Sequence, residues 1–300
     1  LIVATFVRLD AVLLFIPLIV AAFLTHNPLK AAKKVLQVGL ILLVPWSAWM
    51  YRNHLVGLDR LFSPLAVEYD HEARGLYSWE KTWATTPYEL AAIHFPVTAL
   101  AYENIFVPQN AFASQKEEEL VTTLLTKLKE YSGRPFPIQI NNEFRKIAVA
   151  RINDNPVDYF FVKPLLRIKS LWFNFNDGMG WPGFDNKLTA EDRIALQKSS
   201  YVSRLQLVFE YPATGIGKVV VSLWKLCLYS LLLISLIICF KGKRKSELDL
   251  MLLVISFILA RSIFTGLTNL VEARFSVPQM PIIELGTMYV LANFLSIKKV

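Results

Sequence analysis

The sequence predicts an all-α polytopic membrane protein, with about five transmembrane helices and a large, mainly helical extracytoplasmic loop domain. Three observations support this. Hydrophobic residues make up 54% of the chain and the mean hydropathy is +0.40, too apolar for an ordinary soluble domain of 300 residues. The apolar residues are gathered into long runs, as expected where lipid covers them. Many lysines and arginines sit in short patches beside those runs, so the formal charge of +8 reports topology before polyanion binding. No nucleic-acid partner is expected.

Five stretches approach the ~20 apolar residues that a bilayer requires: roughly 10–25, 34–50, 217–240, 248–267 and 280–297. Lys30, Lys33 and Lys34 fall between the first two. Lys241, Lys243, Arg244 and Lys245 fall between the third and fourth, and Lys298 and Lys299 follow the fifth. If the chain alternates sides, these three patches share one face, which the positive-inside rule makes cytoplasmic. The expected organisation is therefore 1–50 transmembrane, 51–216 an extracytoplasmic domain and 217–300 transmembrane, in a cytoplasmic (inner) membrane. The N-terminus of the chain would lie outside and its C-terminus inside. Leu1 stands inside an apolar run, which predicts that an N-terminal part precedes it.

The long loop is too extended for a simple connector, and its C-terminal half reads as helical. Ser114 followed by Glu117 is a capping-box signature. Leu120, Leu124 and Leu128 recur on one face until Gly133 and Pro135 end the run. Thr189 opens another helical stretch that Pro212 closes. Asn155-Pro156 leads a segment with Lys163, Arg167, Ser170 and Asn174 on one stripe. Phe160, Phe161, Leu165, Leu166, Ile168, Leu171, Trp172 and Phe173 fill the rest of its surface. Such a helix suits the headgroup layer, and a helix buried in the loop domain's own core is the competing reading. Trp172 to Phe184, with Trp181, fits an aromatic belt.

Arginines near the hydrocarbon are candidate functional groups, because placing one at mid-helix costs roughly 2.5–3.5 kcal/mol. Arg8, followed by Asp10, opens the first span. Arg52-Asn53 closes the second, Arg261 lies in the fourth, and Arg274 follows Glu272 in the next loop. The guanidinium fork binds phosphate oxygens in a bidentate way, so arginines converging at headgroup depth suit a lipid-linked phosphate. Snorkelling to ordinary headgroups is the alternative for Arg52. A structural ion pair is the alternative for Arg261 and for Glu272 with Arg274. Glu68-Tyr69-Asp70-His71-Glu72 has no recognised metal-ligand spacing, so no metal is assigned. Tyr77 and Trp79 are candidate stacking faces for a sugar ring. His26, His54 and His94 show no evident partner, and Cys227 and Cys239 share one apolar run with no disulfide pattern. No phosphate-cradling glycine loop, nucleophile elbow or zinc-binding helix motif occurs.

Five motifs stand out in order along the chain: Arg8-Leu9-Asp10, Pro45-Trp46 with Arg52-Asn53, Gly75-Leu76-Tyr77-Ser78-Trp79, the stretch Asn142 to Trp172, and Glu272-Ala273-Arg274-Phe275 with Pro278 and Pro281. Together they resemble the C-terminal portion of the GT-C superfamily, in particular bacterial relatives of the dolichyl-phosphate-mannose protein mannosyltransferases and the lipid A aminoarabinose transferase. Leu9 replaces the family's proline and Phe275 its tyrosine. The resemblance implies a glycosyltransferase that moves a sugar from a polyprenyl-phosphate-linked donor to a lipid, glycan or protein acceptor at the outer membrane face, with no cofactor. Arg8, Arg52 and Arg274 would hold the donor phosphate, with Asp10, Asn53 and Glu272 in support and Tyr77 and Trp79 near the sugar. The catalytic carboxylate is expected upstream of Leu1, so the chain alone is expected to be inactive. A non-enzymatic transporter subunit or scaffold with an extracytoplasmic domain is the alternative, although a transporter should place polar groups near the bilayer midplane.

Overall fold

A computed structural model describes residues 15–55, 73–173, 209–242, 245–268 and 280–297. Helix accounts for 86% of the structure, with no strand among the described residues. The helices are α1 (Phe15–Thr25), α2 (Pro28–Leu55), α3 (Arg74–Glu80), α4 (Pro87–Thr98), α5 (Gln115–Lys129), α6 (Ile138–Asp154), α7 (Lys163–Phe173), α8 (Pro212–Gly242), α9 (Lys245–Thr268) and α10 (Met280–Ile297). Three are long and apolar enough to cross a membrane, over Pro28–Arg52, Pro212–Gly242 and Lys245–Leu267. The apolar stretches Phe15–Thr25 and Met280–Phe294 are shorter.

The chain divides into two compact units. The first comprises residues 1–67, 226–264 and 278–300, and the second 68–225 and 265–277. In the first, α1 packs on α2. The side chain of Asn27 accepts from the Lys30 N–H at 3.0 Å and Pro28 occupies the first helical position. That cap starts α2 earlier than expected. Lys30, Lys33 and Lys34 are therefore helical, not a loop, and Lys34 Nζ meets His26 Nε2 at 2.7 Å. At the other end α2 runs through Pro45 and Arg52 to Leu55, a few residues beyond the expected end of the span near residue 50. Most of its apolar residues between Leu36 and Val44 are exposed, an apolar surface of the kind that contacts lipid or another protein segment. Elsewhere in this unit Cys239, Met251 and Val290 form a buried cluster from α8, α9 and α10. Gly286 makes close approach possible, since a Cβ there would come within 2.8 Å of Val254 Cγ2.

The second unit has its own core. Trp79 is fully buried, with its ring 5.4 Å from Phe144 and 5.5 Å from Trp83 between centroids. Its Nε1 donates to Glu117 Oε1 at 2.9 Å, and Arg151 Nη1 donates to the same oxygen at 3.2 Å. This network explains a departure from the expected capping box. Ser114 does cap α5, accepting from the Glu117 N–H at 3.2 Å, but the Glu117 carboxylate is drawn inward to Trp79 and Arg151. The buried stripe of α5 is Val121, Leu124 and Leu128, with Leu120 exposed, because Val121 completes the narrower helical face. After α5, Gly133 takes φ +79° and its N–H donates to the Leu100 carbonyl at 2.7 Å. Thr86 and Glu89 make a complete capping box for α4, with Pro87 at its start.

The tightest approach is between α3 and α6. The Gly75 N–H donates to Asn141 Oδ1 at 2.6 Å, and a Cβ on Gly75 would stand 1.8 Å from the Asn141 carbonyl oxygen. Replacing Gly75 by alanine forces backbone apart and should cost about 2 kcal/mol or more. Gly133→Ala, strained in φ but open in space, should cost about 1 kcal/mol. Thermal melts of the detergent-solubilised chain should rank the two in that order.

Candidate functional site

Asn155 ends α6, and its side chain accepts from the Asp158 N–H at 3.1 Å. A π-helical turn, Asp158–Val162, then leads into α7. Phe160, Phe161, Leu165 and Phe173 lie exposed on this segment, whereas Arg167, Leu171 and Trp172 are buried. The segment is amphipathic as expected, but its arginine points into the protein, while Phe160, Phe161 and Phe173 point out and Trp172 is buried. A helix of a water-soluble domain has the opposite polarity.

Arg167, at 2% exposure, explains the inversion. Its guanidinium donates through Nε to the Ala84 carbonyl at 3.1 Å, through Nη1 to Gly266 at 3.0 Å, and through Nη2 to Lys81. One side chain thereby joins the α3–α4 connection, α7 and the last turn of α9. Gly266 allows the contact, because a Cβ there would lie 3.0 Å from the Pro164 carbonyl oxygen and 3.2 Å from Ile168. Burial lowers the Arg167 pKa to about 10, partly offset by Tyr159, Glu80, Asp158 and Glu89. The group remains cationic at neutral pH.

Beside it, at the end of α3, is Glu80, which is fully buried. Its Oε2 meets His94 Nε2 at 2.8 Å, and the Tyr77 ring stacks on the imidazole at 4.4 Å between centroids. Glu80 Oε1 is buried with no partner. Burial pushes the Glu80 carboxyl above its ordinary range, against the hydrogen bond and charge of His94 and the charges of Lys81 and Arg167. The His94 side chain is 43% exposed, so the pair joins an enclosed carboxylate to an imidazole that solvent reaches. Such a pair can exchange and hold a proton. Trp83 Nε1, Ser170 Oγ and Thr265 Oγ1 are also buried without partners. They are neighbours in sequence of the groups that Arg167 joins, and buried polar atoms of this kind are commonly met by internal water.

A separate cleft of about 330 Å³ opens between α3 and α6, lined by Arg74, Gly75, Ser78, Asn141 and Arg145.

Of the residues expected to bind a donor, Arg52 lies exposed in the last turn of α2. Arg8, Asp10, Glu272 and Arg274, the acidic stretch 68–72, Trp181 and Thr189 lie outside the described residues, and so does the side chain of Asn53. Tyr77 is partly buried against His94. The expectation for Trp79 is corrected: its indole is enclosed among Phe144, Trp83 and Phe112 and presents no face to a sugar. His94 has a partner after all. No sequence signal marked it, since Glu80 is 14 residues away on another helix. Among the described residues no group of three or more His, Cys, Asp or Glu side chains could hold a metal ion.

Comparison with known proteins adds no family. The chain matches no protein-family model, no curated protein and no solved structure.

Because the folded-state pKa of Glu80 is raised, the native chain keeps this proton to higher pH than the unfolded chain. The stability so gained is complete below the unfolded value near 4.5 and is lost as pH rises through the raised value. Melting temperatures across that window should fall more steeply for the native chain than for Glu80→Gln, whose neutral amide cannot ionise. Arg167→Met, which keeps the stem but abandons three carbonyls, should cost about 3 kcal/mol. Arg167→Lys should recover only part of this in the same melts, because an ammonium lacks the planar fork.

Proposed function

We propose that this chain is the C-terminal part of a membrane glycosyltransferase of the GT-C type. It would transfer a sugar from a polyprenyl-phosphate-linked donor to an acceptor at the outer face of the cytoplasmic membrane. In this reading α1, α2, α8, α9 and α10 all cross or enter the bilayer. The basic groups at 30–34, 241–245 and 298–299 mark the cytoplasmic side, and the unit built on α3–α7 is extracytoplasmic.

The observation that carries the reading is the inverted polarity of α7. Leu165, Leu166 and Phe173 point outward, as do Phe160 and Phe161 in the turn before it, while Arg167 binds the Gly266 carbonyl near the end of α9. In this reading that apolar surface would lie at headgroup depth, where a lipid-linked substrate carries its phosphate. The motifs that resemble the superfamily supply the chemistry. Arg8, Arg52 and Arg274 would hold the donor phosphate, with Asp10 and Asn53 in support, Glu272 orienting Arg274 and Tyr77 near the sugar.

Arg274→Ala in the full-length enzyme should lower sugar transfer from a polyprenyl-phosphate donor by on the order of a hundredfold or more, with expression and melting temperature unchanged. Transfer at the native rate would remove Arg274 from the site.

A further inference from the structure

The cleft between α3 and α6 takes no part in the sugar-transfer reading, yet its walls carry a consistent chemistry. It encloses about 330 Å³ and is lined by Arg74, Gly75, Ser78, Asn141 and Arg145. Among these described lining residues there is no carboxylate and no large apolar side chain. Arg74 and Ser78 stand four residues apart on α3, and Asn141 and Arg145 four apart on α6. Residues at that spacing share a helix face, so each wall carries one arginine and one small polar residue.

Packing holds the two walls in register. The Gly75 N–H donates to Asn141 Oδ1 at 2.6 Å, and a Cβ on Gly75 would stand 1.8 Å from the Asn141 carbonyl oxygen. That bond uses the amide oxygen of Asn141 and leaves its Nδ2 as a donor. The Ser78 hydroxyl donates to the Arg74 carbonyl at 2.7 Å and keeps its acceptor lone pairs. Arg145 is exposed, and its guanidinium makes no hydrogen bond, ion pair or ring contact with another described residue. Arg74 already has an interaction within the protein, so it adds positive charge to one wall while Arg145 supplies the fork on the other. Arg145 also borders a wider groove of about 790 Å³ along α6, with Asn142, Lys146 and Asn153. A molecule held at Arg145 has room to extend along that helix.

Two like charges at one cleft repel each other, and an anion between them relieves the repulsion. A planar guanidinium takes two oxygens of a phosphate at once. The cleft volume lies at the lower end of the roughly 300–1,000 Å³ found for small-molecule sites. We propose that this cleft binds the phosphate group of a phosphate monoester, with Arg145 as its chief ligand and Arg74 as supporting charge. The rest of the ester lies toward the α6 groove. A water-soluble ester and a lipid headgroup share this chemistry, and the experiment separates them. None of the side chains assigned to sugar transfer takes part, so the site stands apart from that reading.

The test is isothermal titration calorimetry on the purified full-length protein in uncharged detergent. The probes are inorganic phosphate, a hexose 1-phosphate and a short-chain phosphatidic acid. At least one ester should bind, and Arg145→Ala should weaken it by on the order of tenfold or more with the melting temperature unchanged. Arg145→Lys should recover part of the affinity, because an ammonium keeps the charge without the fork. Tighter binding of the hexose phosphate assigns the site to soluble esters, and tighter binding of the phosphatidic acid assigns it to lipid headgroups; either supports it. Inorganic phosphate binding as tightly as both esters would overturn the monoester assignment. Affinity unchanged by Arg145→Ala, or no binding of either ester, would overturn the site. If the alanine variant does not fold, phenylglyoxal modification of the native protein decides, read by peptide mass spectrometry. Saturating ester should protect Arg145, and modification at the unprotected rate would refute the site. Sugar transfer is measured separately, so binding without transfer removes the enzyme reading and leaves this site intact.

Discussion

The second unit depends on one buried cation. Arg167 places its guanidinium where water does not reach and spends its donors on the carbonyls of Lys81, Ala84 and Gly266. Removing an arginine from water is costly unless its donors are met. Three backbone acceptors from distant parts of the chain meet that requirement, so their positions relative to one another are fixed together. The α3–α4 connection, α7 and the end of α9 are thus held by a single side chain. With Arg167 turned toward that centre, Leu165 and Phe173 on the same helix face outward, as do Phe160 and Phe161 in the π-helical turn before it.

The same centre sets the state of Glu80. A carboxylate at this depth pays for desolvation, and His94, Lys81 and Arg167 repay only part of it, so its affinity for a proton rises. The imidazole that it orients reaches solvent, and Tyr77 stacks on the ring and restricts its tilt. Around this pair the fold is held by close contact as much as by charge. Trp79 is locked by Glu117 and three further aromatic rings, and α3 approaches α6 so closely at Gly75 that no side chain fits there. Side chains that seemed available for ligand binding in the motif around Gly75 are therefore divided between roles. Trp79 is core, Tyr77 supports a histidine, and Arg74 and Ser78 line an open cleft with Arg145.

Inverted polarity recurs in α8, where Lys218 and Lys225 lie inside and the apolar residues outside. In both helices most of the exposed surface is apolar.

Much of this was determined by sequence alone. Long apolar runs require helix when lipid surrounds them, since every backbone N–H and C=O must then be satisfied within the segment. The runs in α2, α8 and α9 therefore announced themselves. The turn at Gly133 and the cap at Ser114 were legible for local reasons, needing a positive φ in one case and a side-chain acceptor in the other. The early start of α2 was equally local, written in Asn27-Pro28, and so was the capping box at Thr86-Pro87-Tyr88-Glu89. What tertiary structure decided was direction and partnership. Periodicity placed Arg167 on a stripe, but its inward direction depended on acceptors 83, 86 and 99 residues away in the chain. Glu80 and His94 lie on different helices, and no pattern within either announces the other. The roles of Trp79 and Glu117 likewise required α3, α5 and α6 to meet. Sequence fixes what a segment must hide from water or lipid, and packing decides which partner hides it.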